Sequence, residues 1–141
     1  MRLDLYQNET SRIAAQQGAM LAQARHLLQQ GQALSPLEEG GVLHALQILI
    51  ENAIGKAKQL LKAAGQVVPV SAHDSFQALA THRLIEPADA LAWNAIVGLR
   101  NRIVHDYMNL DMAQINSWVM ASKEQFVIQF LLHEFSPSNR S

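Results

Sequence analysis

Cysteine is absent from the 141 residues, which excludes disulfides, zinc knuckles and thiol catalysis at the outset. Charge is scarce: Asp, Glu, Lys and Arg make up 16% of the chain, so many helix faces must be apolar or merely neutral. Neither sign dominates. Eleven basic against twelve acidic side chains leave a net charge of −1. That excludes a polybasic nucleic-acid binder resting on bulk positive charge, but not a cleavage site with two or three local arginines. Long apolar runs are missing too. The most apolar segment, Val42 to Ile50, is far shorter than a membrane span, and Met1 to Glu9 holds no signal-like apolar stretch. The expectation is a cytoplasmic protein with no membrane attachment.

What is present is the material for one core. Hydrophobic residues make up 49% of a 15.6 kDa chain, and a chain of this size buries about two-thirds of its unfolded surface. A single domain over 1–135 is expected, with a flexible polar tail at 136–141.

The punctuation is helical throughout. Leu3 to Gln30 is rich in Ala, Leu, Gln and Arg, with Tyr6, Ile13, Met20 and Leu27 on a heptad-like seam and Gly31 placed as a stop. Ser35-Pro36-Leu37-Glu38 reads as an N-cap serine, a proline in the first turn and a capping-box glutamate. The helix it opens carries Leu46, Ala53 and Leu60 beside Ile50, Ala57 and Ala64, a stripe small enough for close approach of a neighbour, and Gly65 ends it. Ser71 caps a short helix running to about His82. Pro87 opens a fourth helix toward Leu110, and Asp111-Met112-Ala113-Gln114 opens a last one carrying Ile115, Val119, Phe126 and Phe130. The sum is an all-α bundle of four long helices plus a short one.

The fourth helix carries the unusual residues. Ala92, Ile96, Leu99, Ile103 and Leu110 form one apolar stripe. Trp93, Val97, Val104 and Met108 form a second, rotated from the first by roughly 90–120°. Arg100 and Asn101 lie within the second stripe, with His105 and Tyr107 at its borders. One bundle core does not require two stripes, so a second protein surface is expected over the second, with a homodimer as the simplest form.

The segment Gly98-Leu99-Arg100-Asn101-Arg102-Ile103-Val104-His105-Asp106-Tyr107-Met108-Asn109-Leu110-Asp111 resembles the signature of the HEPN superfamily. Its extended form, R-N-x-x-x-H-x-Y followed by an aspartate, is similar to that of the HepT-like toxins of HEPN/MNT toxin–antitoxin pairs. Ala45 to Ile54 resembles that family's second helix and Ser75 to Leu79 its short middle helix, so the likeness covers roughly Leu37 to Leu132. Two departures are visible: the long Leu3 to Gln30 helix is less family-like, so nothing is carried over to it, and the second lies in the helix after it. After the Ile50-Glu51 segment the family often has an acidic residue where this chain has Gly55-Lys56, a change expected to bear on an interface or partner contact and not on the motif.

The resemblance implies a metal-independent endoribonuclease, and the residue types suit that chemistry. A base must deprotonate the 2′-hydroxyl, an acid must protonate the leaving 5′-oxygen, and a cation must hold the phosphorane between them. His105 can take either proton role near neutral pH. Arg100 offers a fixed fork of donors to phosphate oxygens. Asn101, one turn before His105, is placed to orient the imidazole or the phosphate. The expected products carry a 2′,3′-cyclic phosphate and a 5′-hydroxyl. Arg100 and His105 lie about 140° apart on an ideal helix. Either Arg100 reaches around on its long stem, or two copies of a dimer supply a composite site; the second also accounts for the second stripe. Tyr107, seven residues after Arg100, would share its face.

The resemblance also gives Tyr107 a meaning. In several HepT-like systems the MNT antitoxin, a minimal nucleotidyltransferase, transfers AMP from ATP to the tyrosine of this motif, and Tyr107 is the matching acceptor. Asn109 and Asp111 are neighbours of lesser promise, with Asp111 expected as a helix cap. Arg102 is expected to pair with Asp106 in solvent, and Trp93 and Trp118 to serve core or interface. His26, His44, His73, His82 and His133 have no close ligand spacing, so neither metal nor cofactor is expected. The expected partners are an RNA substrate and a nucleotidyltransferase antitoxin. The alternative from another class is a non-enzymatic HEPN module that binds and regulates such a nucleotidyltransferase through the same helix.

Overall fold

The computed structural model describes residues 3–134, so the tail expected at 136–141 lies outside the described residues. Six α-helices follow one another: α1 (Leu3–Gln29), α2 (Pro36–Ala63), α3 (Ala72–Thr81), α4 (Ala90–His105), α5 (Met112–Met120) and α6 (Glu124–Leu132). Short 3-10 turns at Pro87–Asp89 and Tyr107–Asn109 precede and follow α4. The all-α bundle stands, and no strand occurs among the described residues.

Local chemistry sets most of the boundaries. Ser35 Oγ accepts from the Glu38 N–H at 3.1 Å while Glu38 Oε1 accepts from the Ser35 N–H at 2.8 Å, the reciprocal box expected there. Ser71 and Asp111 cap α3 and α5 through the N–H groups of Asp74 and Ala113, each at 3.0 Å. Gly31 and Gly65 sit at φ +79° and +73°, the left-handed conformation that lets the glycine N–H and that of the next residue fold back onto the last helical carbonyls.

Two of the expected helices change. The last helix is two helices, broken at Ala121–Lys123, where Ser122 takes φ 59°. The same closing pattern forms there without glycine: Lys123 N–H donates to Trp118 O at 3.2 Å and Ser122 N–H to Val119 O at 2.9 Å. A side chain from far away holds this turn. Arg25 Nε donates to Val119 O at 2.9 Å, and the Arg25 guanidinium pairs with Glu124, which is buried to 0% exposure at the start of α6. The fourth helix also ends early, at His105 instead of Leu110, because Asp106 leaves helical geometry at φ −139°, ψ 37°.

Buried side chains from all six helices form one cluster. Of the α2 stripe, Leu46, Ile50, Ala53, Ala57 and Leu60 are buried, and Ala64 is half-buried at the C-cap. The α1 seam is shifted. Thr10, Ala14, Leu21 and Ala24 are buried, while Tyr6, Ile13 and Leu27 flank them and Met20 is 43% exposed. At the centre, Trp93 stacks on Phe76 at 4.2 Å and meets Phe126 and Phe130 at 5.0 and 4.9 Å between centroids.

The Gly55-Lys56 departure proves to be internal. A Cβ on Gly55 would stand 3.1 Å from the Tyr6 hydroxyl, so α1 crosses closely here. Lys56 is 2% exposed, and its Nζ donates to the carbonyl oxygens of Phe130, Leu131 and His133 at 2.8, 3.0 and 2.6 Å. It therefore satisfies carbonyls at the end of α6 that the helix leaves unpaired.

Candidate functional site

The motif occupies the last turns of α4 and the 3-10 turn after it. Within α4, Trp93, Ile96, Val97, Leu99 and Ile103 are buried. On a helical wheel these five span a single arc of about 160°. The two stripes read from the sequence are thus one wide face, because α4 packs against both α2 and α3 and its Trp93 also reaches α6. This corrects the reading of the second stripe: Trp93 and Val97 are covered by the chain's own core, not by a second protein. Val104 and Met108, the other two, are 40% and 89% exposed. Ala92, expected in the core, is exposed, and Leu110 is half-buried.

Arg100 falls within the angular range of the buried face. It is half-buried, and its Nε is shielded from solvent without a hydrogen-bond partner. A guanidinium N–H without an acceptor can donate to a carboxylate or phosphate oxygen, which suit its fork. Asn101 and His105 are exposed on the opposite side of α4. Arg100 and His105 are therefore separated by about 140° around the axis and about 7.5 Å along it.

Tyr107 does not share a helical face with Arg100, because α4 has ended two residues earlier. It lies on the 3-10 turn, 56% exposed. Asp106 gives its carboxylate to Asn109, whose Nδ2 donates to Oδ1 at 2.7 Å, and not to Arg102 as expected. Sequence reasoning gave this pair no role, although an Asx residue three positions before an amide donor is the usual signal of such a turn. Glu51 accepts from Gln47 on its own helix at 3.2 Å. Trp118 is half-buried, and lines a cavity of about 520 Å³ with Ala113, Gln114 and Ser117. Another cavity, about 580 Å³, lies beside Arg83, Trp93, Phe126 and Phe130; no motif residue lines either one.

Nothing in the motif resembles a metal centre. Among the described residues no group of three or more His, Asp or Glu side chains is placed to hold an ion, and no helix is long and apolar enough to cross a membrane.

Comparison with known proteins places this geometry in a family. No curated protein matches the sequence. Two solved structures share the fold, each with a TM-score of 0.63 over 84% of this chain. One, described as a toxin–antitoxin with AMP-PNP, is 24% identical and is covered over 97% of its length. The other is the tri-AMPylated HEPN toxin of Shewanella oneidensis in complex with MNT antitoxin, 27% identical and covered over 93%. The family model for Ribonuclease HepT-like proteins matches residues 18–130, from the middle of α1 to the end of the aromatic cluster, and the chain belongs to that HEPN family.

Proposed function

We propose that the chain is the toxin of a HEPN/MNT toxin–antitoxin pair and acts as a metal-independent endoribonuclease. The observation that carries this reading is the placement of Arg100, Asn101 and His105 at the solvent end of α4 in a HepT-like chain, with the Arg100 Nε buried and unpartnered. In the reaction the 2′-oxygen attacks the adjacent phosphorus and the bond to the 5′-oxygen breaks. His105 moves a proton at one of those oxygens, and Arg100 balances the charge gathering on the phosphorane. Asn101 orients the imidazole or the phosphate. RNA and ATP meet such a protein in the cytoplasm, which is the site of action we infer.

The two halves of the site face apart on one helix, which favours a homodimer supplying Arg100 from one copy and His105 from the other. The exposed face of α4 suits a second copy. Leu91 is 80% exposed there, and a Cβ on Gly98 would meet nothing within 4 Å, so a second backbone can approach. The antitoxin is a nucleotidyltransferase that transfers AMP to Tyr107. A phosphodiester there would block the cleft and neutralise the arginine.

The test is cleavage of RNA by purified wild-type and His105→Ala protein in EDTA, with end-group analysis. Cleavage by the wild type alone, leaving cyclic phosphates, supports the reading. A folded, unmodified wild type that cuts no RNA offered to it would overturn it in favour of the non-enzymatic nucleotidyltransferase-binding module.

A further inference from the structure

The turn that bears Tyr107 is fastened at both ends. Upstream, Asp106 closes α4 with its N–H donating to Arg102 O at 2.9 Å. It then folds the chain so that Asn109 N–H reaches Asp106 O at 3.0 Å and Asn109 Nδ2 reaches Asp106 Oδ1 at 2.7 Å. Downstream, Asp111 caps α5 through the Ala113 N–H at 3.0 Å. Between these two anchors Tyr107 and Met108 stand 56% and 89% exposed, and the Tyr107 hydroxyl has no hydrogen-bond partner among the described residues. Both members of the Asp106–Asn109 pair are themselves exposed, so the pair adds little to the stability of the bundle. It does fix the conformation of a three-residue link that would otherwise sample many.

We propose that the Asp106–Asn109 side-chain clasp is a positioning device that presents the Tyr107 hydroxyl for nucleotidyl transfer. The proposal rests on the reading of Tyr107 as the acceptor. In the transfer, the phenolic oxygen attacks the α-phosphorus of a nucleoside triphosphate, the bond from that phosphorus to the bridging oxygen breaks, and pyrophosphate leaves. The phenolic proton passes to solvent. Such a displacement needs the attacking oxygen held roughly 3–3.5 Å from phosphorus and in line with the leaving oxygen. A turn freed from its clasp reaches that arrangement less often, so the loss falls on kcat. In this role Asp106 and Asn109 are positioning residues that act through the turn.

The experiment uses the full chain with its nucleotidyltransferase partner, ATP as the nucleotide, and mass-spectrometric counting of AMP on Tyr107. Asn109→Ala should lower kcat for transfer by about ten- to a hundredfold, the upper end being what a misplacement of about 1 Å costs, with KM for the acceptor chain nearly unchanged. Asn109→Asp sets two carboxylates against each other and should be at least as slow. The exchanged pair, Asp106→Asn with Asn109→Asp, rebuilds the bond with donor and acceptor reversed and should recover most of the rate. A merely structural role would not give that rescue, and thermal unfolding of each variant confirms the fold. Asn109→Ala turning over at the wild-type kcat, or a folded exchanged pair as slow as Asn109→Asp, overturns the clasp. Wild type taking up no AMP on Tyr107, or Tyr107→Phe taking up as much, instead overturns the acceptor reading on which it rests.

Discussion

Lys56 Nζ, in the C-terminal third of α2, donates to the His133 carbonyl oxygen at 2.6 Å, fastening the end of α6 to a residue 77 positions earlier. Two further carbonyls of α6 share the same ammonium, which also lies 5.4 Å from the Phe130 ring centroid. Burial pulls its pKa down to about 8 from 10.5, and the Glu134 carboxylate opposes part of that fall. Between those two values the unfolded chain binds more protons at this site than the folded one, so folding stability rises with pH there. The slope approaches about 1.4 kcal/mol per pH unit at most. Tyr6, whose burial raises its phenol pKa, acts in the opposite sense near and above 10. The clean quantity is therefore the difference between wild type and Lys56→Met in urea unfolding, measured from pH 7.5 to 10. That difference should move in favour of the wild type as pH rises, and a flat difference would refute the assignment.

Arg25 and Glu124 form the second long-range fastening. Glu124 is buried; its Oε2 takes the Arg25 guanidinium, and its Oε1 has no hydrogen-bond partner. Truncating Arg25 to Ala leaves a buried carboxylate without its cation and frees the Val119 carbonyl, a loss of about 3–5 kcal/mol. The double change Arg25→Met with Glu124→Leu removes both charges and should recover most of it. Chemical denaturation of the three proteins decides the matter: an Arg25→Ala protein within about 1 kcal/mol of wild type would show the pair to be ornamental.

These two pairs also explain what the sequence concealed. Caps were legible because Ser35 and Glu38, or Ser71 and Asp74, lie within one turn and act through local bonds. The break at Ser122 was not, because a non-glycine residue at φ 59° is held by Arg25 from the other end of the chain. Lys56 looked like a surface change for the same reason: its acceptors lie 74 to 77 positions away. In α4 the periodicity picks out the five buried residues, Trp93, Ile96, Val97, Leu99 and Ile103, but divides them into two stripes where a helix wedged between two neighbours buries one broad arc, and it adds Ala92, Val104 and Met108, which are exposed. The motif residues were identifiable by type and spacing. Their directions were not, since the end of α4 at Asp106 separates Tyr107 from Arg100.

Arg100 gives a prediction about shape as distinct from charge. Its Nε is buried and unpartnered, and only a guanidinium offers a planar fork of donors from that depth. Arg100→Lys keeps the positive charge but replaces the fork by a compact ammonium. It should reduce RNA cleavage by at least about tenfold, on the scale of one lost transition-state donor, with a melting temperature close to wild type. Cleavage by Arg100→Lys at the wild-type rate would mean that Arg100 serves only as a point charge.

Gly98 tests whether two copies of α4 meet. It lies on the exposed side of the helix, with open space where a Cβ would stand, so a side chain can leave the helix there toward solvent. Gly98→Ala should raise the stability of the isolated chain by about 0.5–1 kcal/mol, since glycine in mid-helix carries that entropic cost. Gly98→Arg keeps the fold but places a bulky cation where a second α4 would approach. If the cleft is formed by two copies, this variant should be monomeric in sedimentation or light scattering and should lose cleavage while His105 and Arg100 remain untouched. A Gly98→Arg protein that still dimerises and still cuts RNA would place the contact on another face. A monomer that cuts at full rate would instead require Arg100 to reach His105 around its own helix.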